Sequence, residues 1–361
     1  MPPPDPLFLL RALKDPAAAA RLDLAGWDLL LRQLRRTRLH PRLSVQLREA
    51  GLVDALPEQV RPHVAAGCVV AASQERTVRW EVDRIARALE GFDGDVVLLK
   101  GAAYVVAGLP LARGRFTSDV DILVEKGRLG EVERALLAHG WEPVKIDDYD
   151  QMYYRRWMHE LPPMRHPERE AVVDVHHTIL PETARLKPDA AELLRGAVPL
   201  AGRLKVLCPA DLFLHSATHL FCEEMANPLR DLVDLADLAA HYGRTPSFWG
   251  DLEERARRLD LTRPLFYAFR YTRRFLDAPV PDAPGGAAPG PKTLAWMDRL
   301  AGEAFSPEDP CRPRASAARA RFLLYMRAHA LRMPPLLLAR HLLTKSFKRL
   351  FHREPAREAE R

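Results

Sequence analysis

The hydrophobic pattern changes period twice along the chain. Through the first 90 residues apolar side chains recur at helical spacing, as in Leu7-Phe8-Leu9-Leu10 and Trp27-Asp28-Leu29-Leu30-Leu31. Pro62 to Leu89 reads as one long amphipathic helix. Pro62 suits its first turn, where a missing N–H costs little, no later proline interrupts it, and Gly91 and Gly94 end it. The period then shortens. Asp95–Lys100 is a brief apolar run followed at once by Gly101, which predicts a buried strand, and Ala102–Ala107 predicts a helix stopped by Gly108 and Pro110. Asp119-Val-Asp-Ile-Leu-Val124 alternates and predicts a second strand. Arg128–His139 carries a stripe of Leu129, Val132, Leu136 and Leu137 and ends at Gly140, a helix with a glycine cap. Further strands are expected at Trp141–Ile146, Met152–Met158 and Ala171–His176, the last preceded by a polar loop holding Pro162, Pro163 and Pro167. After Pro209 the helical period returns in Ala210–Met225, Pro228–Tyr242 and Ser247–Leu276. Residues 279–291, rich in Pro and Gly, read as a flexible or extended linker, and two more helices are expected after it.

Strands alternating with helices, flanked on both sides by helical stretches, predict a small mixed α/β sheet between helical segments. The expected division is an N-terminal helical region (1–90), an α/β unit (91–205), a helical domain packing on it (206–278), the linker (279–291) and a C-terminal basic helical segment (292–361).

Composition changes this picture little. A chain of 361 residues suggests two or three domains, and 47% hydrophobic residues exclude a disordered chain. No charge-free apolar run of about 18 residues is present, so a membrane-spanning helix is not expected. The start, Met1-Pro-Pro-Pro-Asp5, lacks the basic and apolar regions of a signal peptide. Cys68, Cys208, Cys222 and Cys311 are scattered without CxxC spacing, which argues against a disulfide framework or a zinc ribbon. The expected compartment is the cytoplasm.

Charge is more informative than its total of +6. Cys311–Arg353 holds eleven Lys or Arg and no acid, and the last eight residues are net −1, so the first 310 sum to −4. The basic character belongs to the C-terminal segment. Its stretch Met333–Phe351 is amphipathic and acid-free. Docking on the acidic body is the favoured reading; an anionic membrane surface, with a membrane-peripheral location, and nucleic acid are the alternatives.

The chemistry concentrates in Arg115-Phe-Thr-Ser-Asp119-Val-Asp121-Ile-Leu-Val124. On a strand, residues i and i+2 share a face, so Asp119 and Asp121 present two carboxylates side by side while Val120 and Ile122 face the core. Like charges so placed repel, and a divalent cation between them, Mg²⁺ or Mn²⁺, resolves the repulsion. Asp174 and His176 interrupt one face of the apolar strand Ala171–His176. If that strand lies beside the first, three carboxylates converge in a layout suited to two-metal phosphoryl or nucleotidyl transfer.

These residues carry a resemblance. Lys100-Gly101-Ala-Ala-Tyr104, then Arg115-x-Thr117-x-Asp119-Val-Asp121, then Val173-Asp174-Val-His176, resembles the nucleotidyltransferase superfamily that includes DNA polymerase β. Within it the likeness is to a bacterial uncharacterised nucleotidyltransferase family, with the abortive-infection toxin nucleotidyltransferases as a related pattern. It covers roughly residues 95–240, under half of the chain. It implies a nucleotidyltransferase core with helical flanks, and transfer of a nucleoside monophosphate from a nucleoside triphosphate to a hydroxyl of a small molecule, a protein or RNA. It also implies that Asp119, Asp121 and Asp174 are the catalytic metal ligands. The nucleotide-binding residues would be Lys100, Gly101, Arg115, Thr117 and Ser118. One departure stands out: the turn is Gly101-Ala102 where the superfamily commonly has Gly-Ser, so Lys100 or Arg115 would supply the positive charge for the triphosphate. A binding module of the same fold, without turnover, is the competing reading.

Three other groupings bear on the cleft. His176 is expected to support the third carboxylate. Arg230 and Asp234, four apart, suit an intrahelical ion pair, or a role toward the triphosphate and the acceptor respectively. His215 and His219 share a helical face, with packing preferred to zinc because no Glu follows the first His.

Overall fold

The computed structural model describes residues 8–144, 148–283, 285–340 and 343–344. Helices α1 (Phe8–Lys14), α2 (Pro16–Ala20), α3 (Leu24–Arg36) and α4 (His40–Glu49) precede the long α5 (Arg61–Ala88). In α5 the expected apolar stripe, Val64, Cys68, Ala71, Val78, Val82 and Ile85, is buried. Gly67 lets α4 approach: a Cβ there would stand 2.1 Å from Ser44 Oγ.

The α/β unit comprises β1 (Val96–Leu98), α6 (Lys100–Val106), β2 (Val120–Leu123), α7 (Leu129–Ala138), β3 (Glu142–Pro143), α8 (Asp148–Trp157), β4 (Met164–Arg165), β5 (Val172–His176), α9 (Ala190–Gly196), β6 (Val198–Ala201) and β7 (Leu204–Val206). The strands form one mixed sheet in the order β3-β4-β5-β2-β1-β7-β6. β2 runs antiparallel to β1 and parallel to β5.

The observed strands depart from the expected ones at four places. Met152–Met158 is not a strand: Met152–Trp157 belongs to helix α8, and Met158 follows its end. Its aromatic, strand-favouring residues pack at helical spacing instead, Tyr153 and Trp157 meeting with ring centroids 5.9 Å apart. The proline-bearing loop before β5 contributes β4, which pairs antiparallel with β5 at the sheet's thin side. The hairpin β6–β7 has no forecast in the hydrophobic pattern, yet β7 lies parallel to β1 and extends the sheet. The strand expected at Trp141–Ile146 is reduced to β3, and its last two residues lie outside the described residues. So do Met1–Asp5 and, of the basic stretch Met333–Phe351, residues 341–342 and 345–351.

Helices α10 (Pro209–Cys222), α11 (Pro228–Tyr242), α12 (Phe248–Arg258), α13 (Thr262–Leu276), α14 (Pro291–Ala304) and α15 (Ala315–Arg332) complete the fold. The main core joins the sheet to these helices. A second core lies among the N-terminal helices and takes in Leu229 and Val233 of α11. The same helix sends Leu232, Leu235 and Leu238 into the main core, so α11 binds the two cores together. Between α13 and α14 the Pro/Gly-rich stretch is anchored to the main core by Val280 and Ala287. The basic residues of α15 meet the body: Arg321 pairs with Glu308 at 2.8 Å, and Arg327 donates to the Phe221 carbonyl at 2.6 Å. Among the described residues no helix is long and apolar enough to cross a membrane.

Candidate active site

Register builds the centre of the site. In the parallel pair β2–β5, Asp121 and Asp174 are Cα partners. Val120, Ile122, Val173 and Val175 turn into the core. The alternate residues Asp119, Asp121, Asp174 and His176 therefore share the other face. The structure thus brings the three predicted carboxylates together.

Their protonation is set by what surrounds them. Burial, and then the neighbouring Asp121 charge, push the Asp119 carboxyl above its ordinary range. Burial, Glu160 and Asp121 push Asp174 well up, and its Oδ1 is buried without a hydrogen-bond partner. Burial would raise Asp121 as well, but Lys100 and His176 outweigh it and hold that carboxyl well below its ordinary range. Lys100 Nζ donates to Asp121 Oδ1 at 2.9 Å, and His176 Nε2 lies 3.0 Å from the same oxygen.

The turn between β1 and α6 delivers Lys100. The Leu99 N–H bonds the Asp121 carbonyl at 2.9 Å, fixing the end of β1 against β2. Lys100 then adopts φ +45°, a left-handed conformation that costs a residue with a Cβ roughly 1–2 kcal/mol. The buried ion pair with Asp121 accompanies that strain. Gly101 follows because nothing larger fits: a Cβ would stand 2.4 Å from both Arg115 Nη1 and Thr117 Oγ1. Ala102, the residue after it, is buried in the main core.

Arg115 does not pair with Asp119. Its Nε donates to Asp234 Oδ2 at 2.7 Å and its Nη1 to Thr117 Oγ1 at 3.0 Å, with the guanidinium over the Tyr104 ring. The expected Arg230–Asp234 pair is absent for the same reason. Asp234 is claimed by Arg115, and Arg230 turns to Asp231 at 2.7 Å. The buried Asp234 is thus a strut beneath the loop. Ser118 Oγ donates to Asp119 Oδ1 at 3.2 Å.

These elements border a cleft of about 450 Å³. Lys100, Gly101, Arg115–Asp119 and Asp121 form its floor, and His219 and Arg230 one wall. Arg36 from α3 adds positive charge, whereas Arg321 from α15 is balanced by Glu308, which lines the same cleft. Arg36 makes no ion pair among the described residues. Asp174, His176 and Asp234 do not line this cleft.

His215 and His219 part company despite sharing a face. Burial, with Lys100 nearby, lowers His215 to about 3, so it stays neutral. His219 Nδ1 instead meets Glu223 Oε2 at 2.7 Å. The sequence offered no motif in residues 147–170, yet His159 and Glu160 pack beside His176 there. His176 Nδ1 lies 3.3 Å from Glu160 Oε2. The only sequence signal was the adjacent His-Glu pair.

Residues 23–277 match the model of a family described as uncharacterised nucleotidyltransferase. Among solved structures, an antigenic nucleotidyltransferase-like protein from Paracoccidioides brasiliensis is similar at 15% identity, covering 54% of this chain and 93% of that one, with a TM-score of 0.28. No curated protein matches. The family match spans well over half of the chain and includes every carboxylate of the β2–β5 face: the protein belongs to the uncharacterised nucleotidyltransferase family.

Proposed function

We propose that the protein is a metal-dependent nucleotidyltransferase that moves a nucleoside monophosphate from a nucleoside triphosphate to a hydroxyl acceptor and releases pyrophosphate. The observation that carries this reading is the pairing of Asp121 with Asp174 on adjacent parallel strands, with Asp119 on the same face.

The donor set fits a hard divalent cation. Asp174 Oδ1 is buried and lacks a hydrogen-bond partner, and burial and mutual repulsion raise both Asp119 and Asp174. Clustered carboxylate oxygens of this kind suit Mg²⁺ or Mn²⁺, held by Asp119, Asp121 and Asp174. When bound, the ion neutralises triphosphate charge and favours ionisation of the acceptor hydroxyl.

The chain's own residues do the rest. Lys100 and His176 keep Asp121 ionised and fix its orientation. Arg36 and Arg230 bind triphosphate oxygens from the cleft walls, since guanidinium groups match phosphate geometry. Arg115 positions the loop bearing Asp119 through Asp234 and Thr117. The cleft volume is in the range of small-molecule sites, so nucleotide and acceptor are held together and oriented for in-line attack.

One observation favours the competing reading, a nucleotide-binding module without turnover. Lys100 and Arg115, the cations nearest the turn, are already paired with Asp121 and Asp234. Incubation with each common nucleoside triphosphate, radiolabelled at the α-phosphate, separates the two. With Mg²⁺ and cell extract present, the enzyme transfers label to a protein, RNA or small-molecule fraction, and the Asp119→Asn/Asp121→Asn variant does not. Nucleotide binding by the folded wild type with no transfer from any nucleotide supports the module.

A further inference from the structure

A second cluster lies behind Asp121, away from the cleft. Residues 159–161 run antiparallel to the end of β5: Leu161 N–H bonds the Val175 carbonyl and His177 N–H the His159 carbonyl, both at 2.9 Å. Glu160 bridges to His176 across that pairing. One ligand atom from each of His159, Glu160 and His176 falls within 4.8 Å of the others. Glu160 Oε2 lies 3.3 Å from His176 Nδ1 and 4.0 Å from His159 Nε2. Glu223 Oε1 stands outside this close group but 3.7 Å from His159 Nε2, near enough to join as a fourth donor, while its other oxygen holds His219.

The orientation of His176 is the telling feature. It is 2% exposed, and its Nδ1 has no hydrogen-bond partner despite the nearby carboxylate. Its Nε2 bonds Asp121, which can only accept, so Nε2 carries the proton. Nδ1, the nitrogen left over, is turned toward Glu160 Oε2 at 3.3 Å, the position from which it would ligate an ion. A carboxylate fixing one imidazole nitrogen so that the other can ligate is the arrangement found behind metal-binding histidines. The mixed imidazole and carboxylate donors suit a transition metal better than Mg²⁺. Ligand atoms around tetrahedral zinc stand roughly 3.3 Å apart, so side-chain adjustment closes this set onto an ion.

The geometry points to a buried transition-metal site of the zinc class, held by His159, Glu160, His176 and Glu223 and distinct from the hard-cation site at Asp119, Asp121 and Asp174. The two sites are joined by the His176–Asp121 hydrogen bond. Nucleotide transfer is not needed to detect the second one.

Elemental analysis of the full chain, purified without a metal-affinity step or chelator, tests this. The expected result is about one zinc per chain, retained through dialysis against Mg²⁺. Cobalt replacing it gives the intense visible absorption of a four-coordinate ion without thiolate charge-transfer bands. His159→Ala and Glu160→Gln each weaken binding by roughly tenfold or more, and Asp119→Asn keeps it. A folded wild type that holds no transition metal and takes up no cobalt overturns the proposal, leaving a proton between His176 and Glu160. Zinc retained undiminished by both folded variants overturns it too. Should the variants not fold, the wild-type cobalt spectrum decides: six-coordinate or thiolate-ligated cobalt refutes the site.

Discussion

Arg115 and Asp234, 119 residues apart in sequence, form an ion pair of 2.7 Å in which both side chains are more than nine-tenths buried. The pair ties the loop carrying Asp119 to helix α11, which itself joins the two cores. Removing one partner leaves a buried charge without compensation. Asp234→Asn should therefore lower unfolding free energy by about 3–5 kcal/mol. An Arg115→Met/Asp234→Leu double variant should recover part of that loss. Urea denaturation of the single and double variants checks both expectations.

Asp119 behaves differently, because its nearest charged neighbour on the strand is another carboxylate. Asp119→Asn removes repulsion from Asp121 and should leave the melting temperature equal to or above that of wild type without metal. Mg²⁺ should raise the wild-type melting temperature by binding the native state, and raise that of the variant much less. Nucleotidyl transfer should fall by at least roughly 100-fold. Thermal scans with and without Mg²⁺, alongside the label-transfer assay, check this.

Gly101 is required by its neighbours. In Gly101→Ala the new methyl would overlap Arg115 Nη1 and Thr117 Oγ1, each 2.4 Å away. Thr117 is short and buried, so it gives little ground. A destabilisation of about 1–3 kcal/mol is expected, together with weaker nucleotide binding as Arg115 is displaced. Gly101→Ala combined with Thr117→Ala, which removes the hydroxyl the new methyl overlaps, should regain part of the lost stability, which equilibrium unfolding measures.

Away from the cleft, Arg270 clamps Asp298 between α13 and α14 with bonds of 2.7 and 2.6 Å. These hydrogen bonds hold the Asp298 carboxyl below its ordinary value, against a smaller opposing effect of burial. A depressed folded-state value stabilises the protein above the unfolded value of about 3.9, and the contribution disappears as pH falls through the folded one. Asp298→Asn should cost about 1 kcal/mol at neutral pH, little because the pair is partly exposed. The difference from wild type should vanish in acid. Unfolding curves at neutral and acid pH check the sign.

The local pattern was enough to locate β1, β2, β5 and most helices, because each has its own period and its own punctuation by Gly or Pro. It was also enough to put Asp119 beside Asp121 and Asp174 beside His176, since alternation along a strand is a local property. Met152–Met158 misled because aromatic residues serve a strand and a helix equally until packing selects one. Chain folding alone decided which strands became neighbours, and hence that Asp121 met Asp174. It also decided which acid each base found: Asp234 went to Arg115 rather than to Arg230 four residues away, whose guanidinium is taken by Asp231. His159 and Glu160 carried no spacing signal, and Glu223 only its place four residues after His219. Their convergence on His176 depends on β5 pairing with a distant segment and on where α10 ends, and the distances those contacts create exist only in the folded chain.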